Sequence, residues 1–492
     1  MPSVELSKIE RSRPAARRAA TAETAPPEAP WAELTARLEG PLVLPDDGEY
    51  DSARRVWNGT IDRYPAAIAR CASTADAAAG IAFAREHGVL LAVRGGGHSI
   101  PGHSVCDGGL VLDLSPLDGV EVDAERRIAR AQPGATWGIL DAATAELDLA
   151  TTGGQVATTG IAGLTLGGGL GLLMRKHGLT CDNLLAAELV TAEGELVRAS
   201  EDENPELYWA LRGGGGNFGV VTSFEYRLYP SEPIFGGFLV HDASRAGAVL
   251  RHWRDFVEDA PDALFSEAVV FRAPPEPPFP DELHGKPVVS IGPYWIGDQE
   301  EGERVLEPLR RFGPPDAELL WPMPYVHAQT IFTAPAGRLR YEKSDFLPEL
   351  TDDAIDALLA ASAGTEDSLS QIVLVHMGGA VARSDPLATA FRHRDTRFFL
   401  TASTCWSEPG EGAARVAWAR NVWEAARPWS RGVYVNFLDE DDDEDRLASA
   451  YGADTYARLV RVKDHWDPEN LFRLNQNIKP SAEADRPREE NP

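Results

Sequence analysis

The sequence has few cysteines and lacks any long apolar run. Four cysteines occur among 492 residues, with no C-x-x-C pair and no metal-like spacing, so a disulfide framework is not expected. Free thiols fit a reducing compartment, and we expect a cytoplasmic protein. No run of about 18 apolar residues is present, so no transmembrane helix is predicted. The cysteines are Cys71, Cys106, Cys181 and Cys405.

Positive charge is also scarce. The chain carries 76 acidic against 47 basic side chains, a formal net charge of −29. A surface of that sign repels nucleic acid and anionic membranes, so neither is an expected partner. A length of 492 residues and a hydrophobic content of 43% are enough for two or three globular domains.

Both ends of the chain differ in amino-acid composition from the rest. Residues 1–30 are rich in Ala, Arg, Pro and Glu, and no apolar core follows their arginines, which argues against a secretory signal peptide. We predict a disordered tail over residues 1–30 and a similar one over residues 481–492.

The most informative motif is a run of three glycines followed by a histidine. Gly88–Val93 is typical of a buried strand, and Arg94–Ser99 (Arg-Gly-Gly-Gly-His-Ser) follows at its end. Such a loop can bring backbone N–H groups onto an anion such as a pyrophosphate. His98 needs a second explanation: it is either a hydrogen-bonding turn residue or the point of a covalent link to a cofactor.

Two more glycine clusters follow, over 151–171 and 211–219. So much glycine is not typical of a helix or strand, and a backbone packed against a flat ligand explains it better. Short helices and strands surround the clusters, which indicates an α+β nucleotide-binding domain. The predicted elements are the helices Thr74–His87 and Thr136–Glu146 and the strands Gly109–Asp113, Ile128–Ala131 and Val220–Leu228.

Beyond about residue 236 the glycine clusters stop. Strand-like and helical runs alternate to about residue 438, which favours an antiparallel sheet with helices on one face. The acidic run Asp439–Asp445 is interpreted as a solvated loop, and no metal site is predicted. The strands are expected at Val288–Ile291, Gln371–Met377, Phe398–Thr404 and Gly432–Phe437, and the helices at Ala246–Glu258, Asp352–Ala361 and Ala413–Ala425.

The three glycine clusters, His98 and the C-terminal Asp467–Ile478 segment form one constellation. From about Trp57 to Pro480 it resembles the berberine bridge enzyme-like flavoproteins of the vanillyl-alcohol oxidase type. The resemblance implies a two-lobed FAD-binding domain of the PCMH type over 31–235 and a substrate domain over 236–445. A C-terminal segment, 446–480, would return to the FAD domain.

The resemblance also implies roles for single residues. His98 would be joined to the flavin 8α-methyl, the N–H groups around it would hold the pyrophosphate, and Asn475 and Gln476 would close over the cofactor. The full set of expected cofactor-binding residues is Arg94, Gly95, Gly96, Gly97, His98, Ser99, Gly102, His103, Gly154, Gln155, Thr158, Thr159, Gly160, Gly163, Gly168, Gly169, Gly171, Gly219, Val220, Asn475 and Gln476.

The sequence departs from the family at two kinds of position. Val156 stands where many relatives carry a cysteine bound to the flavin 6-position, so a single link through His98 is expected. Phe437 ends the Tyr434–Phe437 motif where relatives place a proton acceptor. Val373 and Val375 occupy the strand where acidic substrate residues are found in some relatives.

These departures leave the catalytic base unassigned. Tyr434 and Asn436 would share one face of a strand, and Thr159 would lie near the reactive face of the flavin. Tyr434 either orients the substrate and accepts its proton, or is a buried tyrosine with a satisfied hydroxyl. His376 is a weaker candidate, since it also suits a core or surface position. The expected catalytic residues are therefore Tyr434, Asn436 and Thr159.

The resemblance implies an FAD-linked oxidase that takes hydride from a C–H of an alcohol, amine or secondary-metabolite substrate, with O2 as the second substrate. Two alternatives stay open, a flavin-dependent oxygenase of polyketide tailoring and a non-catalytic flavoprotein that binds a ligand. An NAD-binding Rossmann domain is disfavoured, because Gly167–Gly171 lacks the G-x-G-x-x-G spacing.

Overall fold

The computed structural model describes residues 29–332, 334–363 and 369–484. Most of both predicted tails lies outside these residues. At the C-terminal end the prediction was wrong in part, because Ser481–Ala484 forms a helical turn. The backbone N–H of Ser481 donates to Asp464, 2.7 Å away, and this bond holds the turn on the preceding helix.

Residues 42–230 form two main sheets and a small ribbon. The strands are β1 (Leu42–Val43), β2 (Ala67–Arg70), β3 (Leu91–Arg94), β4 (Leu110–Asp113), β5 (Val120–Asp123), β6 (Ile128–Ala131), β7 (Leu149–Ala150), β8 (Leu184–Val190), β9 (Leu196–Ser200), β10 (Val220–Arg227) and β11 (Tyr229–Pro230). One sheet has the order β1-β2-β4-β3, the other β5-β6-β10-β8-β9, and β7 pairs with β11. β3 and β2 run parallel to β4, so their carboxyl ends share one edge.

Local signals place the glycine loop at that edge. The helix Thr74–His87 begins at Ser73, whose hydroxyl accepts from the N–H of Asp76, and it ends at Gly88 in a left-handed conformation (φ +64°). This helix has the predicted bounds and leads into the predicted strand β3, while β2, which precedes it, was not predicted. The first half of the chain also contains the helices Trp31–Arg37, Tyr50–Ala53, Trp137–Ala145, Ile161–Gly167, Met174–His177 and Pro205–Leu211.

Residues 234–406 build a seven-stranded antiparallel sheet. Its strands are β12 (Ile234–Asp242), β13 (Leu264–Arg272), β14 (Pro287–Ile296), β15 (Ala317–Met323), β16 (Leu339–Leu347), β17 (Ser370–His376) and β18 (Phe398–Trp406). Their order is β15-β12-β14-β13-β17-β18-β16. Its outer face packs on the helices Ala246–Glu258, Gln299–Arg311, Asp352–Ser362 and Gly412–Ala426. The predicted fold class, an α+β protein with helices on one face of an antiparallel sheet, is confirmed.

The other face of this sheet, the inner face, turns toward the first half of the chain. Phe265, Tyr294, Val375 and Phe399 alternate with the outer-face residues and join one core with residues of the first half of the chain. The short helices Tyr325–Ala328 and Ala380–Arg383 lie beside it. Within the described residues, no helix combines the length and apolarity needed to span a bilayer. The domain boundaries stay a prediction.

Two predicted elements were wrong. Gly432–Phe437 is not a strand, because after one bridge between Gly432 and Phe346 the chain turns into a 3-10 helix over Val435–Phe437. The acidic run is only partly solvated, because the ammonium group of Lys343, whose side chain is 3% exposed, lies 2.8 Å from Asp442 and also pairs with Asp441. A buried ammonium group needs such partners, which local charge patterning does not reveal.

The C-terminal part returns to the first half of the chain. The helices Glu444–Tyr451 and Ala453–Trp466 lead to a segment held by a fully buried ion pair between Lys463 and Asp467, with Nζ and Oδ2 2.6 Å apart. The same ammonium group donates to the carbonyls of Asn217 and Phe472. One buried side chain therefore ties the C-terminal segment to the third glycine cluster.

Candidate active site

A cavity of about 880 Å³ lies at the carboxyl end of β3, a volume typical of small-molecule sites. The Arg94–His98 loop forms one wall, and residues 156–158 form another. Phe332 and residues 334–336, from the second half of the chain, close the opposite side. Of the predicted cofactor residues, Arg94, Gly95, Gly96, Gly97, His98 and Thr158 line this cavity.

The glycine loop can accept an anion because its backbone is crowded on one side and open on the other. A Cβ on Gly96 would lie 2.5 Å from the backbone of Gly160, and Gly97 has φ +70°. Among the hydrogen bonds of the described residues, none uses the N–H groups of Gly95, Gly96, Gly97 or His98. Free N–H groups aimed at a cavity suit the phosphates of a nucleotide.

Arg94 supports this loop from below. Its Nε lies 3.1 Å from Asp113 Oδ1 and its Nη2 lies 2.8 Å from Oδ2, a two-pronged ion pair between buried groups. The guanidinium charge is therefore neutralised, and the pair fixes the end of β3 to the end of β4. The loop begins from a rigid point.

His98 is held in an aromatic stack that crosses between the two halves of the chain. Its ring lies 4.7 Å from the Trp57 ring at 17°, and the Arg340 guanidinium lies 4.3 Å above Trp57. Burial, and then the Arg340 charge, lower the pKa of His98 to about 4. The imidazole is neutral at physiological pH, so a ring nitrogen keeps its lone pair. Its Nδ1 lies 3.4 Å from the Thr159 hydroxyl.

Sequence reasoning missed Trp57 and Arg340 as parts of this site. Trp57 is tied to the loop because its N–H donates to the Gly97 carbonyl at 3.1 Å. Its indole N–H donates to Ala334 at 2.8 Å, in the wall built from the second half of the chain. The only sequence signal was Trp57 at the start of the family resemblance, and Arg340 gave none.

Several other predicted cofactor residues support the loop without lining the cavity. The Ser99 hydroxyl accepts from the N–H of His103, and the Ser99 carbonyl accepts from the N–H of Gly102. Asn475 donates to the carbonyl of Gly216 at 3.1 Å, and the carbonyl of Gln476 accepts from Asn217 at 3.2 Å. The C-terminal segment thus packs on the third glycine cluster. The Oδ1 atom of Asn475 is buried without a partner, which leaves an acceptor for a ligand.

In the second glycine cluster, close contacts within the protein leave no room for a side chain at three of the glycines. A Cβ on Gly168 would meet the Phe391 ring at 2.7 Å, one on Gly169 the Thr180 hydroxyl at 2.2 Å, and one on Gly171 the Gly153 carbonyl at 1.7 Å. Gly163, by contrast, has open space beside it. Gly219 immediately precedes β10 and packs against Leu189. Val220, the first residue of β10, lies in the core. Gly154 accepts from Gln329, and Gln155 donates to Glu267.

Tyr434 is buried, and it does not line the cavity. Its hydroxyl oxygen accepts from the N–H of Gly169 at 2.8 Å and from the side-chain amide of Asn436 at 2.9 Å. Burial raises the pKa of Tyr434, so the phenol stays neutral and is a poor base. Asn436 also donates to the Leu164 carbonyl, so both side chains hold the helix Ile161–Gly167. This geometry matches the second of the two roles weighed for Tyr434.

His376 lies on the outer face of the sheet, beside Phe398. Burial and the Arg175 charge lower the pKa of His376 to about 2, so it is neutral and weakly basic.

We expect Tyr434→Phe to lower stability without abolishing flavin reduction. The change leaves the buried N–H of Gly169 without an acceptor and removes one of the two acceptors of the half-buried Asn436 amide, which costs about 1–3 kcal/mol. Urea denaturation measures that loss, and anaerobic stopped flow measures flavin reduction. A fall of about 100-fold in the reduction rate, as for loss of a general base, would contradict this assignment.

The buried carboxyl group of Asp141 supports the loop over 153–158. Its Oδ2 accepts from Gln329, which also donates to the Gly154 carbonyl at 2.8 Å, while its Oδ1 has no partner. Burial raises the pKa of Asp141 from 3.8 to about 7. The folded state therefore binds more protons than the unfolded state between those values, and Asp141 makes stability fall as the pH rises through this window.

Asp141→Asn is accordingly expected to be more stable than the wild type at pH 8, by about 4 kcal/mol, and nearly equal to it at pH 4. Thermal melts at the two pH values measure the difference. An equal effect at both values would show that the carboxyl is not titrating in this way.

The residues around the cavity fit FAD. Free N–H groups of the glycine loop suit its diphosphate, and the His98 ring lines the same cavity. The unpartnered Asn475 oxygen, outside the cavity lining, is an acceptor for a donor on the cofactor. Among the described residues, no group of three or more His, Cys, Asp or Glu side chains could hold a metal ion.

Comparison with known proteins gives the same picture. Residues 65–200 match the family model described as FAD binding domain, and residues 433–479 match the model described as berberine and berberine like. The (R)-6-hydroxynicotine oxidase of Paenarthrobacter nicotinovorans is 31% identical over 460 residues, which span 90% of this chain and 98% of that relative. An FAD-dependent monooxygenase of Fusarium proliferatum is 40% identical over 200 residues, 39% of its length.

Solved structures match over nearly the same range. The 6-hydroxy-D-nicotine oxidase of Arthrobacter nicotinovorans superposes with a TM-score of 0.81 at 29% identity, covering 90% of this chain and 98% of that one. The glucooligosaccharide oxidase of Acremonium strictum, described with a 6-S-cysteinyl, 8α-N1-histidyl FAD, superposes with a TM-score of 0.78 at 25% identity. It covers 92% of this chain and 99% of that one.

Proposed function

Because the chain belongs to the berberine bridge enzyme-like FAD-linked oxidoreductases, we propose that it is an oxidase that holds FAD covalently through His98. It is an FAD-dependent enzyme, as its oxidase relatives are. Its substrate is a small molecule whose C–H gives hydride, an alcohol, an amine or a secondary metabolite, and O2 is the final acceptor. The observation that carries the proposal is the position of the His98 ring, stacked on Trp57 at the wall of the cavity.

Different residues of this chain would bind different parts of FAD. N–H groups of the Gly95–His98 loop hold the diphosphate, and Asn475 covers it from the C-terminal segment. Trp57 and Thr159 fix the plane and tilt of the His98 ring. When bound, FAD supplies the hydride acceptor, which no side chain can supply.

A single covalent link is part of the proposal. Val156 lines the cavity and has no sulfur, and all four cysteines are free, with Cys71, Cys106 and Cys181 buried. A flavin-bearing peptide from proteolysis is expected to contain His98 and none of the cysteines.

A flavin-dependent oxygenase is a second candidate, supported by the monooxygenase that is 40% identical over 200 residues. The two functions differ in the fate of oxygen. An oxidase releases one H2O2 for each substrate oxidised, whereas an oxygenase places an oxygen atom in the product.

The test is a screen of the purified yellow protein against alcohols, amines and sugars, including 6-hydroxynicotine and chitooligosaccharides, read as H2O2 release. Oxidation of one class with equimolar peroxide supports the oxidase. Incorporation of 18O from O2 without equimolar peroxide supports the oxygenase. A protein that binds no flavin on expression or reconstitution would overturn both.

A further inference from the structure

A carboxyl group with only one weak partner lies on the inner face of the seven-stranded sheet. In β13, Ser266 points outward to Trp253 of the covering helix, so Glu267 points inward. Glu267 is 3% exposed, and its Oε2 accepts from the Gln155 amide at 3.3 Å. Among the described residues, the Gln155 amide is the one polar group that acts on this carboxyl, and no cation does.

A second unsatisfied polar group lies beside it. Gly292 is the partner of Glu267 in β14, and a Cβ there would lie 3.1 Å from Glu267 Cγ and 3.5 Å from the Tyr294 ring. The missing side chain leaves room for both groups. The Tyr294 hydroxyl is buried without a hydrogen-bond partner. Its ring lies 6.1 Å from Phe332, which lines the cavity.

This pair also borders the loop expected to run along the flavin. Gln155, which holds Glu267, immediately precedes Val156 in the cavity wall. Across the sheet, Glu267 pairs with Val375, Val375 with Phe399, and the Phe399 ring lies 5.4 Å from Phe437. Val375, Phe399 and Phe437 are all apolar. Glu267 supplies a carboxyl in that same row.

The chemistry of such a pair is specific. Glu267 and Tyr294 lie one layer behind the cavity lining, next to Gln155 and Phe332, and a buried carboxyl with one neutral amide partner and a buried phenol with none are unfavourable among apolar neighbours. Burial raises the pKa of Glu267 to about 7, so it can both take and release a proton near neutrality. Tyr294 is the titratable group facing it from β14, while Gln155 and Val375 bring no charge. Unsatisfied groups of this kind mark sites that a ligand completes.

We propose that Glu267 is the proton acceptor of the oxidation and that the Tyr294 hydroxyl binds the same substrate heteroatom. The inference rests on the proposed oxidase function. The substrate class is a molecule with an O–H or N–H on the carbon that is oxidised. That carbon loses hydride to the cofactor, its O–H or N–H proton passes to the Glu267 carboxylate, and a C=O or C=N bond forms. Glu267 returns the proton to solvent, and O2 takes up the two electrons as peroxide.

The first test uses the holoenzyme and the best substrate of the peroxide screen, with flavin reduction followed in anaerobic stopped flow. Glu267→Gln is expected to slow reduction about 100-fold or more and to remove its rise with pH near 7, with partial rescue in Glu267→Asp. Tyr294→Phe is expected to lose about tenfold in kcat/KM. Glu342→Gln is the matched control, because Glu342 is a buried inner-face glutamate already satisfied by Ser403 at 3.0 Å.

The second test needs no substrate. The midpoint potential of the bound flavin is measured from pH 5.5 to 8.5, since a carboxyl beside the cofactor links its own protonation to reduction. The wild type and Glu342→Gln are expected to show a bend near pH 7 that Glu267→Gln lacks. Circular dichroism and thermal melts establish that each variant is folded.

The outcomes separate the two proposals. A wild type that no screened compound reduces counts against the oxidase function, and the potential curves alone then decide on Glu267. A folded Glu267→Gln that is reduced at the wild-type rate, or that keeps the wild-type bend in potential, overturns the role of Glu267.

Discussion

Replacing His98 with alanine is expected to remove all flavin from the denatured chain, whereas the wild-type polypeptide is expected to stay fluorescent after SDS electrophoresis. The reason is chemical: a neutral imidazole held by Trp57 at the cavity wall is the nucleophile available to bond the flavin, and alanine has none. The bound fraction is read from in-gel fluorescence and from the mass of the intact chain.

His103→Ala is the matched control for this experiment. His103 is also buried in the glycine loop region, and burial and Arg63 lower its pKa to about 4, but it does not line the cavity. The flavin of this variant should remain attached to the chain. Release of all colour from the denatured wild type would contradict the covalent link, and loss of attachment in both variants would point to general damage to the loop.

Lys463→Met is expected to lower the free energy of unfolding by about 3–5 kcal/mol, because it leaves the Asp467 carboxylate buried without its cation. Both side chains are fully buried, and the ammonium group also satisfies the carbonyls of Asn217 and Phe472. Urea denaturation followed by circular dichroism measures the change. The double variant Lys463→Met with Asp467→Leu should recover part of the loss.

An exposed ion pair in the same segment provides the comparison. Lys479 and Glu444 are 46% and 63% exposed, so Lys479→Ala should cost about 1 kcal/mol or less. If Lys463→Met were as mild as Lys479→Ala, the buried pair would not be what holds the C-terminal segment in place.

Elements with signals inside their own sequence were predictable. The helix Thr74–His87 has a serine cap at one end and a glycine at the other, and both bounds were predicted. The strand Ile128–Ala131 and the helix Ala246–Glu258 were also predicted with the bounds that the structure has. In these segments local propensity and tertiary packing favour the same conformation.

Features that depend on distant residues were not predictable. Tyr434 looked like a strand residue, but the turn at Val435–Phe437 follows from its contacts with Gly169, 265 residues earlier. The glycines after residue 167 were predicted to pack against the cofactor. In the structure, Gly168 and Gly169 instead make room for Phe391 and Thr180. Glu267 lies in an apolar run, and only the pairing of strands brings it beside Tyr294.

The stack of Arg340 on Trp57, and of Trp57 on His98, determines when the site can be completed during translation. Trp57 and His98 emerge early, but the wall at 334–336 and Arg340 are made some 240 residues later, and Asn475 follows near the end. A nascent chain that ends before residue 334 lacks Arg340 of the stack and the cavity wall at 334–336. Because the stack and the wall need residues from both halves of the chain, we expect the proposed link through His98 to form only after both halves have been made and have folded together.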